Sequence, residues 1–409
     1  MQVWYSPKRY YQPSHTCISY GVPRSAKFYA DTVGIKTTIR KRPYMEKIIS
    51  ELRTPRRGTA IARLVALGPD VLSDVLRSLE NENTEQMKGA AAFFQAAGAY
   101  AAPFLLQARV HGGWPTENYA SQVLSFLDGS YLPHFRPLAS DSDPELRAFA
   151  VTLLGQHDPI GEADILIEAM KDSSPEVRAS AAGVLHGVGT DEAMRLLMEA
   201  LDGHRPWFER AAAARSLGAM REPAGVWPLI GCLDDEEKAV RDAAAMALGQ
   251  VADKASVIPL IVALQRQTFP AAIFALGQIG DARAIRPLIA YLVDRHQDGN
   301  FRPAIEALVG IGPVAVKPLI DALDDENDDL RYGAVLALGR IGLEHQDVRV
   351  VAPLLSRWRD PDENPHYYAK HSLARLGALA TPAVSEMAKG RGRRRKFAEE
   401  ILVLSKTIQ

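Results

Sequence analysis

An alanine-rich helical signature returns twelve times along this 409-residue chain, about every 30 residues and in a constant register. Its clearest copy is Val-Arg-Asp-Ala-Ala-Ala-Met-Ala-Leu-Gly-Gln-Val, residues 240–251. A fixed period of this size is typical of solenoid proteins, in which one supersecondary unit stacks repeatedly on its neighbours. The period therefore constrains the fold more strongly than any other feature of the sequence.

Each repeat can be numbered from a small anchor residue, which lies eight positions before a closing residue that is most often glycine. Successive anchors are 28 to 35 residues apart, so insertions fall in the loops between helices. The best-defined repeats cover residues 141–342, and the outer ones fit more loosely, as capping repeats usually do. The anchors are Ala60, Ala90, Ala120, Ala150, Ala181, Ala213, Ala244, Ala272, Ala304, Ala334, Ala369 and Ala398.

Two helices fit within each repeat. In the first, apolar or small residues such as Val240, Ala244 and Leu248 recur at helical spacing, and the closing glycine suits a left-handed C-terminal position. The second is exemplified by Val-Ile-Pro-Leu-Ile-Val-Ala-Leu, residues 257–264. Its proline belongs in the first turn, where the missing N–H has no helical partner to lose. The sequence therefore predicts an all-α fold: a right-handed α-solenoid of about 11–12 two-helix repeats over residues 45–409.

An arginine lies three residues before many of the anchors, and an acidic cluster usually precedes it. A row of free cations would suit a polyanionic ligand, but here the acids recur together with the arginines. This recurrence favours a structural ladder, in which each guanidinium binds turn carboxylates and carbonyls of neighbouring repeats. The arginines are Arg57, Arg147, Arg178, Arg210, Arg241 and Arg331, and the acid-rich segments include residues 141–143, 234–237 and 324–326.

Composition narrows the class of protein further. The formal net charge of −1 argues against a general nucleic-acid binder. Cys17 and Cys232 form no disulfide framework, which is typical of a reducing compartment, so we predict a cytoplasmic location. The most apolar stretch, residues 89–106, falls within a repeat and is interrupted by Gln95 and Pro103, so no membrane span is predicted.

Residues 1–44 differ from the rest of the chain. They carry eight Lys or Arg against one acid and lack the repeat period. One interpretation is a basic arm that binds an anionic surface. The other, which we favour, is a disordered extension upstream of a true start at Met45.

The signature Val-Arg-x-x-Ala-Ala-x-Ala-Leu-Gly-x-Ile-Gly and the Pro-Leu-Ile second helix resemble the HEAT-like repeats first described in phycobilisome lyases. The resemblance covers nearly all of residues 46–409 and is specific for the repeat type, not for an activity. It implies three possible classes: bilin lyases of the E/F type, the di-iron enzyme deoxyhypusine hydroxylase, and adaptors without chemistry of their own.

The hydroxylase class takes its metal ligands from repeated His-Glu pairs. This chain contains no His-Glu dipeptide, and its ten histidines share no register, so we predict neither a di-iron nor a zinc site.

A bilin lyase needs a groove with aromatic walls and cations for the propionates. Candidate aromatic residues occur where the repeats deviate from their pattern, and the same residues are our candidates for contact with a partner. Each can also be explained as an aromatic side chain that fills space where a loop changed length. The candidates are Trp207, Phe208, Phe269, His366, Tyr367 and Tyr368.

The leading hypothesis is a protein-interaction scaffold that binds another protein on its concave, second-helix surface. It requires no catalytic residue, metal or cofactor, and it includes neither a membrane nor a nucleic acid as partner. The alternative is a chromophore chaperone similar to the E/F-type bilin lyases, for which a bilin would be the ligand.

Overall fold

A computed structural model describes residues 42–81, 84–113, 115–266, 269–293 and 302–408. The chain divides into two compact units, Met1–Ala96 and Ala97–Gln409. Apart from its last three positions, the predicted N-terminal extension lies outside the described residues, as does Cys17. The predicted division between residues 44 and 45 stays a prediction.

In the first unit, short helices are joined by a close contact of Gly89 with Leu52 and by hydrogen bonds from Arg57. A Cβ on Gly89 would lie 2.4 Å from the carbonyl oxygen of Leu52, which follows the first helix of the unit. Only glycine therefore allows the helix of Gly89 to approach this turn. Arg57 donates to the Leu52 carbonyl at 2.8 Å and to Glu85 at 2.8 Å. The helices are α1 Arg42–Glu51, α2 Arg57–Ala66, α3 Leu72–Arg77 and α4 Thr84–Ala97.

The second unit is a stack of two-helix repeats. It begins with α5 Ala101–His111 and α6 Thr116–Phe126, followed by two 3₁₀ segments, Gly129–His134 and Arg136–Ser140. The first helices of the following repeats are α7 Pro144–His157, α9 Pro175–Val184, α11 Trp207–Met220, α13 Lys238–Val251, α15 Pro270–Ile279, α17 Arg302–Ile311, α19 Asp328–His345, α21 Glu363–Arg375 and α23 Gly392–Ile408. The second helices are α8 Ala163–Ala169, α10 Asp191–Glu199, α12 Val226–Gly231, α14 Val257–Arg266, α16 Ile285–Val293, α18 Val316–Ala322, α20 Val351–Ser356 and α22 Thr381–Ala388.

The predicted register is confirmed by burial. All twelve anchor alanines are fully buried. From α7 onward, consecutive first helices pack side by side, and each second helix from α8 onward packs against the first helix that follows it. The prolines of the second helices, such as Pro228 and Pro259, fall in the first turn, as predicted. The prediction of an all-α solenoid of HEAT-like repeats is therefore confirmed, and every regular element of the described residues is helical.

The closing position of the first helix adopts the left-handed conformation in most repeats, including two without glycine. Gly189, Gly280 and Gly312 have φ of 68°, 70° and 83°. At the same position Arg221 has φ 57° and Ala252 has φ 58°. A left-handed backbone therefore occurs at this position even without glycine, and the two non-glycine residues adopt a conformation unfavourable for L-amino acids.

The other glycine of the signature, which follows a leucine within the first helix, does not end that helix. A Cβ on Gly218 would lie 2.5 Å from the Cα of Ala247, in the next first helix. Gly249 and Gly277 approach the first helix of the following repeat in the same way. The left-handed role predicted for the closing glycine therefore does not extend to this position, where glycine permits close packing of two helices.

Gly218→Ala should lower the free energy of unfolding by about 1–3 kcal/mol, because the new methyl group overpacks a contact with backbone atoms. Gly183→Ala is the matched control. Gly183 also lies in a first helix, but a Cβ there would meet no atom within 4 Å. Since glycine costs a helix interior roughly 0.5–1 kcal/mol relative to alanine, this control should be stabilising. Thermal melting of both variants checks the pair, and equal shifts of Tm would contradict the assigned contact.

Ala252→Gly should stabilise the protein by about 0.5–1 kcal/mol. The substitution relieves a left-handed alanine that costs about 1–2 kcal/mol, and the greater freedom of glycine in the unfolded chain offsets part of the gain. Met246→Gly, at an exposed position inside the same helix, should instead destabilise by about 1 kcal/mol. Urea denaturation of both variants gives the comparison, and a loss of stability in Ala252→Gly would refute the account of this position.

Candidate interaction surfaces

The repeated arginines bind acids and carbonyls between successive repeats. Arg147 donates from Nε and Nη2 to the two carboxylate oxygens of Asp172, each at 2.8 Å. Its Nη1 donates to the carbonyls of Asp141 and Ser142, at 2.9 and 3.2 Å. Equivalent bonds join Arg178 to Glu209, Arg210 to Asp235, and Arg331 to Asp360 and Asp362.

Arg241 differs from the other ladder arginines. Its Nη1 donates to the carbonyls of Asp235 and Glu236, at 2.7 and 2.8 Å. Its buried Nε has no acceptor among the described residues, which do not include 267–268. The other arginines of this row donate to acids and carbonyls of the protein, and their side-chain exposure runs from 3% for Arg210 to 31% for Arg57. Most guanidinium groups of the row are therefore engaged within the protein.

Trp207 and Phe208 form the start of helix α11. The two rings contact edge to face, with centroids 5.8 Å apart. Trp207 is 47% exposed, whereas Phe208 is half-buried. This pair lies at the N-terminal end of a first helix and does not belong to the second-helix surface that the scaffold hypothesis names.

His366, Tyr367 and Tyr368 all lie in helix α21, but their rings have different neighbours. Tyr368 contacts Tyr332 of the preceding first helix, with ring centroids 4.9 Å apart, and burial together with this contact raises the pKa of Tyr332 to about 12. Tyr367 is exposed and its ring centroid lies 4.2 Å from that of His371. The His366 ring packs against the buried Phe397 of α23.

Phe269 is a core residue, so it must be removed from the candidate surface. Its side chain is only 2% exposed, at the N-terminal end of helix α15. This residue lies in the shortest repeat of the series, where successive anchors are 28 residues apart. The six aromatic candidates therefore form no common site: Trp207 and Tyr367 lie on first helices with four other first helices between them.

The structure reveals an exposed apolar tract that the sequence analysis missed. It consists of Trp227, Ile230, Ile258 and Val262, on the consecutive second helices α12 and α14. Trp227 is 70% exposed and Ile258 is 50% exposed, while Ile230 is half-buried. Clustered exposed apolar side chains of this size are more typical of a contact surface than of a solvated one.

The repeat register contained a signal for this tract. Trp227 and Ile258 each stand directly before the proline of a second helix, and Arg286 and Lys317 occupy the same position two and three repeats further on. All four side chains are exposed. A position that admits both tryptophan and lysine cannot belong to the core, so the tryptophan there was a sign of a surface contact.

The described residues contain two long apolar helical stretches and no candidate metal-binding cluster. No group of three or more His, Cys, Asp or Glu in this part of the chain could hold a metal ion. Two helical stretches, Thr84–His111 and Arg302–Ala322, are long and apolar enough to cross a membrane. Of their most apolar windows, 61% and 56% are buried inside the protein, as expected for core helices.

Family models match most of the second unit. A model described as HEAT repeats matches residues 132–212, 194–270 and 302–374, which is more than half of the chain. A model described as the PBS lyase HEAT-like repeat matches residues 271–294. No curated protein matches the chain.

Solved structures with the same type of fold include importin beta, with 16% identity and a TM-score of 0.51 over 89% of this chain and 61% of that one. The complex of CpcE and CpcF of phycocyanin lyase from Nostoc sp. PCC7120 has 22% identity and a TM-score of 0.32, over 60% of this chain and 94% of that one. Human deoxyhypusine hydroxylase in complex with glycerol has 20% identity and a TM-score of 0.26, over 62% and 99%. Similarity at these identities concerns the fold alone, and the two lower TM-scores support no conclusion about function.

Asp172→Asn should lower stability by about 1–3 kcal/mol at pH 7, because it removes hydrogen bonds between charged groups. The hydrogen bonds from Arg147 lower the pKa of the Asp172 carboxyl. Since the folded pKa lies below the unfolded value of about 3.9, the carboxylate stabilises the fold above that pH. Its contribution is lost as the pH falls through the folded pKa.

Urea denaturation of wild type and Asp172→Asn at a series of pH values measures this contribution. We expect the gap in stability to narrow as the pH drops below about 4. Glu168→Gln, which alters an exposed surface ion pair, should have little effect at any pH. A gap that is independent of pH would contradict the pairing of Asp172 with Arg147.

Proposed function

Because the chain belongs to the HEAT repeat family, we propose that it is a protein-interaction scaffold that binds a partner protein along its second helices. The observation that carries this proposal is the apolar tract of Trp227, Ile230, Ile258 and Val262. Burying an exposed tryptophan and its aliphatic neighbours provides binding energy, and tryptophan is among the residues that contribute most at protein interfaces.

The proposal assigns the repeated residues to the fold and the tract to binding. The twelve anchors are buried and most ladder arginines donate to acids of neighbouring repeats. Trp227 and Ile258, by contrast, are exposed and could change without loss of a core contact. We include in the proposal a cytoplasmic location and no catalytic activity of the chain itself.

The bilin-lyase alternative is not favoured. The similarity to the phycocyanin lyase complex is too weak to speak for this alternative. The aromatic residues suggested for bilin contact lie on separate repeats or, for Phe269, in the core. No observation therefore supports a chromophore site over a protein-binding surface.

Photo-crosslinking in the native cell tests the proposed surface. The photoreactive residue p-benzoylphenylalanine would replace Trp227 in one variant and Met246 in the other. Met246 is a matched control because it is an exposed apolar residue on a first helix. We expect a stoichiometric protein adduct from position 227 and none from position 246. Adducts from position 246 alone would place the partner on the first helices and contradict the proposal. The absence of an adduct from both positions would refute it.

Two tryptophan variants then separate the two candidate surfaces. Trp227→Ala should weaken binding of the captured partner by about tenfold or more, as truncation of a central interface tryptophan usually does. Trp207→Ala should leave the affinity unchanged, although Trp207 is also exposed. Both variants should keep the wild-type Tm, since neither side chain is buried. If only Trp207→Ala lost affinity, the partner would instead bind the surface around Trp207, which the sequence analysis indicated.

A further inference from the structure

The charge of the turn before a first helix is reversed in the last repeat. Asp172, Asp235 and Asp360 each stand nine residues before the anchor of their repeat and accept hydrogen bonds from a ladder arginine. Nine residues before Ala398, the same position is Lys389, and the chain continues as Gly-Arg-Gly-Arg-Arg-Arg-Lys to residue 396. A cation therefore replaces the ladder acid at the last junction of the stack.

The ladder arginine of this junction is replaced as well. His366 occupies its position, three residues before Ala369. The His366 ring packs against Phe397 of the next first helix, with ring centroids 4.8 Å apart. The arginines and acids that recur together elsewhere are thus both missing from this pair of positions. The cations of the last turn consequently have no ladder role to explain them.

Three arginines of this turn have no acidic partner. Arg391, Arg393 and Arg394 are exposed and form no ion pair within the part of the chain that the structure describes. All the acids of the adjoining helices α22 and α23 bind other cations. These pairs are Glu386 with Lys389 at 2.6 Å, Glu399 with Arg395 at 2.7 Å, and Glu400 with Lys370 at 2.7 Å.

A fourth cation comes from the neighbouring repeat. The 3₁₀ segment Arg357–Arg359 contacts helix α23. Arg359 is exposed and has no ion pair among the described residues, and its guanidinium lies over the ring of Trp358. In the turn that follows, Glu363 is the one acid that the ladder does not bind. Unpaired cations therefore outnumber unpaired acids at this end of the stack.

From this excess of charge we infer that Arg359, Arg391, Arg393 and Arg394, the terminal basic cluster, bind the phosphate backbone of a nucleic-acid duplex. The guanidinium fork forms bidentate hydrogen bonds with phosphate oxygens, and such contacts carry no sequence information. The net charge of −1 describes the whole chain and sets no limit on the charge of one end. The inference goes beyond the proposed function and revises the prediction that no nucleic acid is a partner.

Two other anionic partners fit the terminal basic cluster less well. A helix that lies on a membrane inserts an apolar face, whereas Phe397, Ala398 and Ile401 of α23 are buried inside the protein. An extended acidic peptide rises about 3.3 Å per residue and presents only every second side chain on one face. A duplex carries one negative charge per about 1.7 Å of its axis, which better matches arginines on successive residues of a helix.

Fluorescence anisotropy of the full chain with short labelled duplexes tests the inference. Four phosphate contacts predict a slope of about −3.6 for log Kobs against log salt, and thus a roughly 150-fold loss of affinity between about 50 and 200 mM salt. DNA duplexes of different sequence, and an RNA duplex, should bind with similar affinity. A slope near zero, or tighter binding to phosphatidylserine vesicles or to polyglutamate, would overturn the inference.

A triple variant locates the binding on the terminal basic cluster. Arg391→Ala, Arg393→Ala, Arg394→Ala should lower the salt slope by about three and weaken duplex binding at least tenfold at low salt. Its Tm should stay at the wild-type value, because these side chains make no ion pair in the described part of the protein. The matched control is Arg63→Ala, Arg195→Ala, Arg302→Ala, which removes three exposed arginines elsewhere. Undiminished binding by the cluster variant, or an equal loss in the control, would overturn the inference.

Discussion

The stack depends on the close approach of a glycine in one first helix to an alanine in the next. Gly218 against Ala247, Gly249 against Ala275 and Gly277 against Ala307 repeat this contact through the central repeats. Because no Cβ intervenes, the backbones of these helices approach one another closely. Between the same repeats, Arg210 donates to both carboxylate oxygens of Asp235. The ladder then adds charged hydrogen bonds at the turns, where helix ends have unpaired groups.

The sequence predicts those parts of the fold that follow from local chemistry. The repeat period fixes the register, and all the anchors it assigns are buried. It predicts a left-handed backbone for the closing glycines, but it does not predict the same conformation at Arg221 and Ala252, which the structure shows. The sequence does not distinguish the two glycines of the signature. The closing glycine adopts a left-handed conformation at the end of its own helix. The glycine inside the helix contacts the first helix of the next repeat, and no local pattern records such a contact.

The candidate surface was harder to predict, for a physical reason. A departure from the repeat pattern shows that something changed, but not which way the new side chain points. Phe269 departs from the pattern and is buried, whereas Trp207 departs from it and is half-exposed. Trp227 was overlooked because the position before the second-helix proline varies in every repeat. Its exposure becomes informative only once the helix is placed on a definite side of the stack.

The central claim is that the recurring residues hold the solenoid together, while the apolar tract serves binding and is not needed for folding. The most direct measurement is the cellular abundance of a library in which each residue from 207 to 262 is replaced in turn. The account predicts that polar substitutions at Trp227, Ile258 and Val262 leave abundance unchanged, while substitutions at Ala213, Ala244 and Gly218 lower it. An equal loss of abundance at the tract would show that it belongs to the core and would contradict the claim.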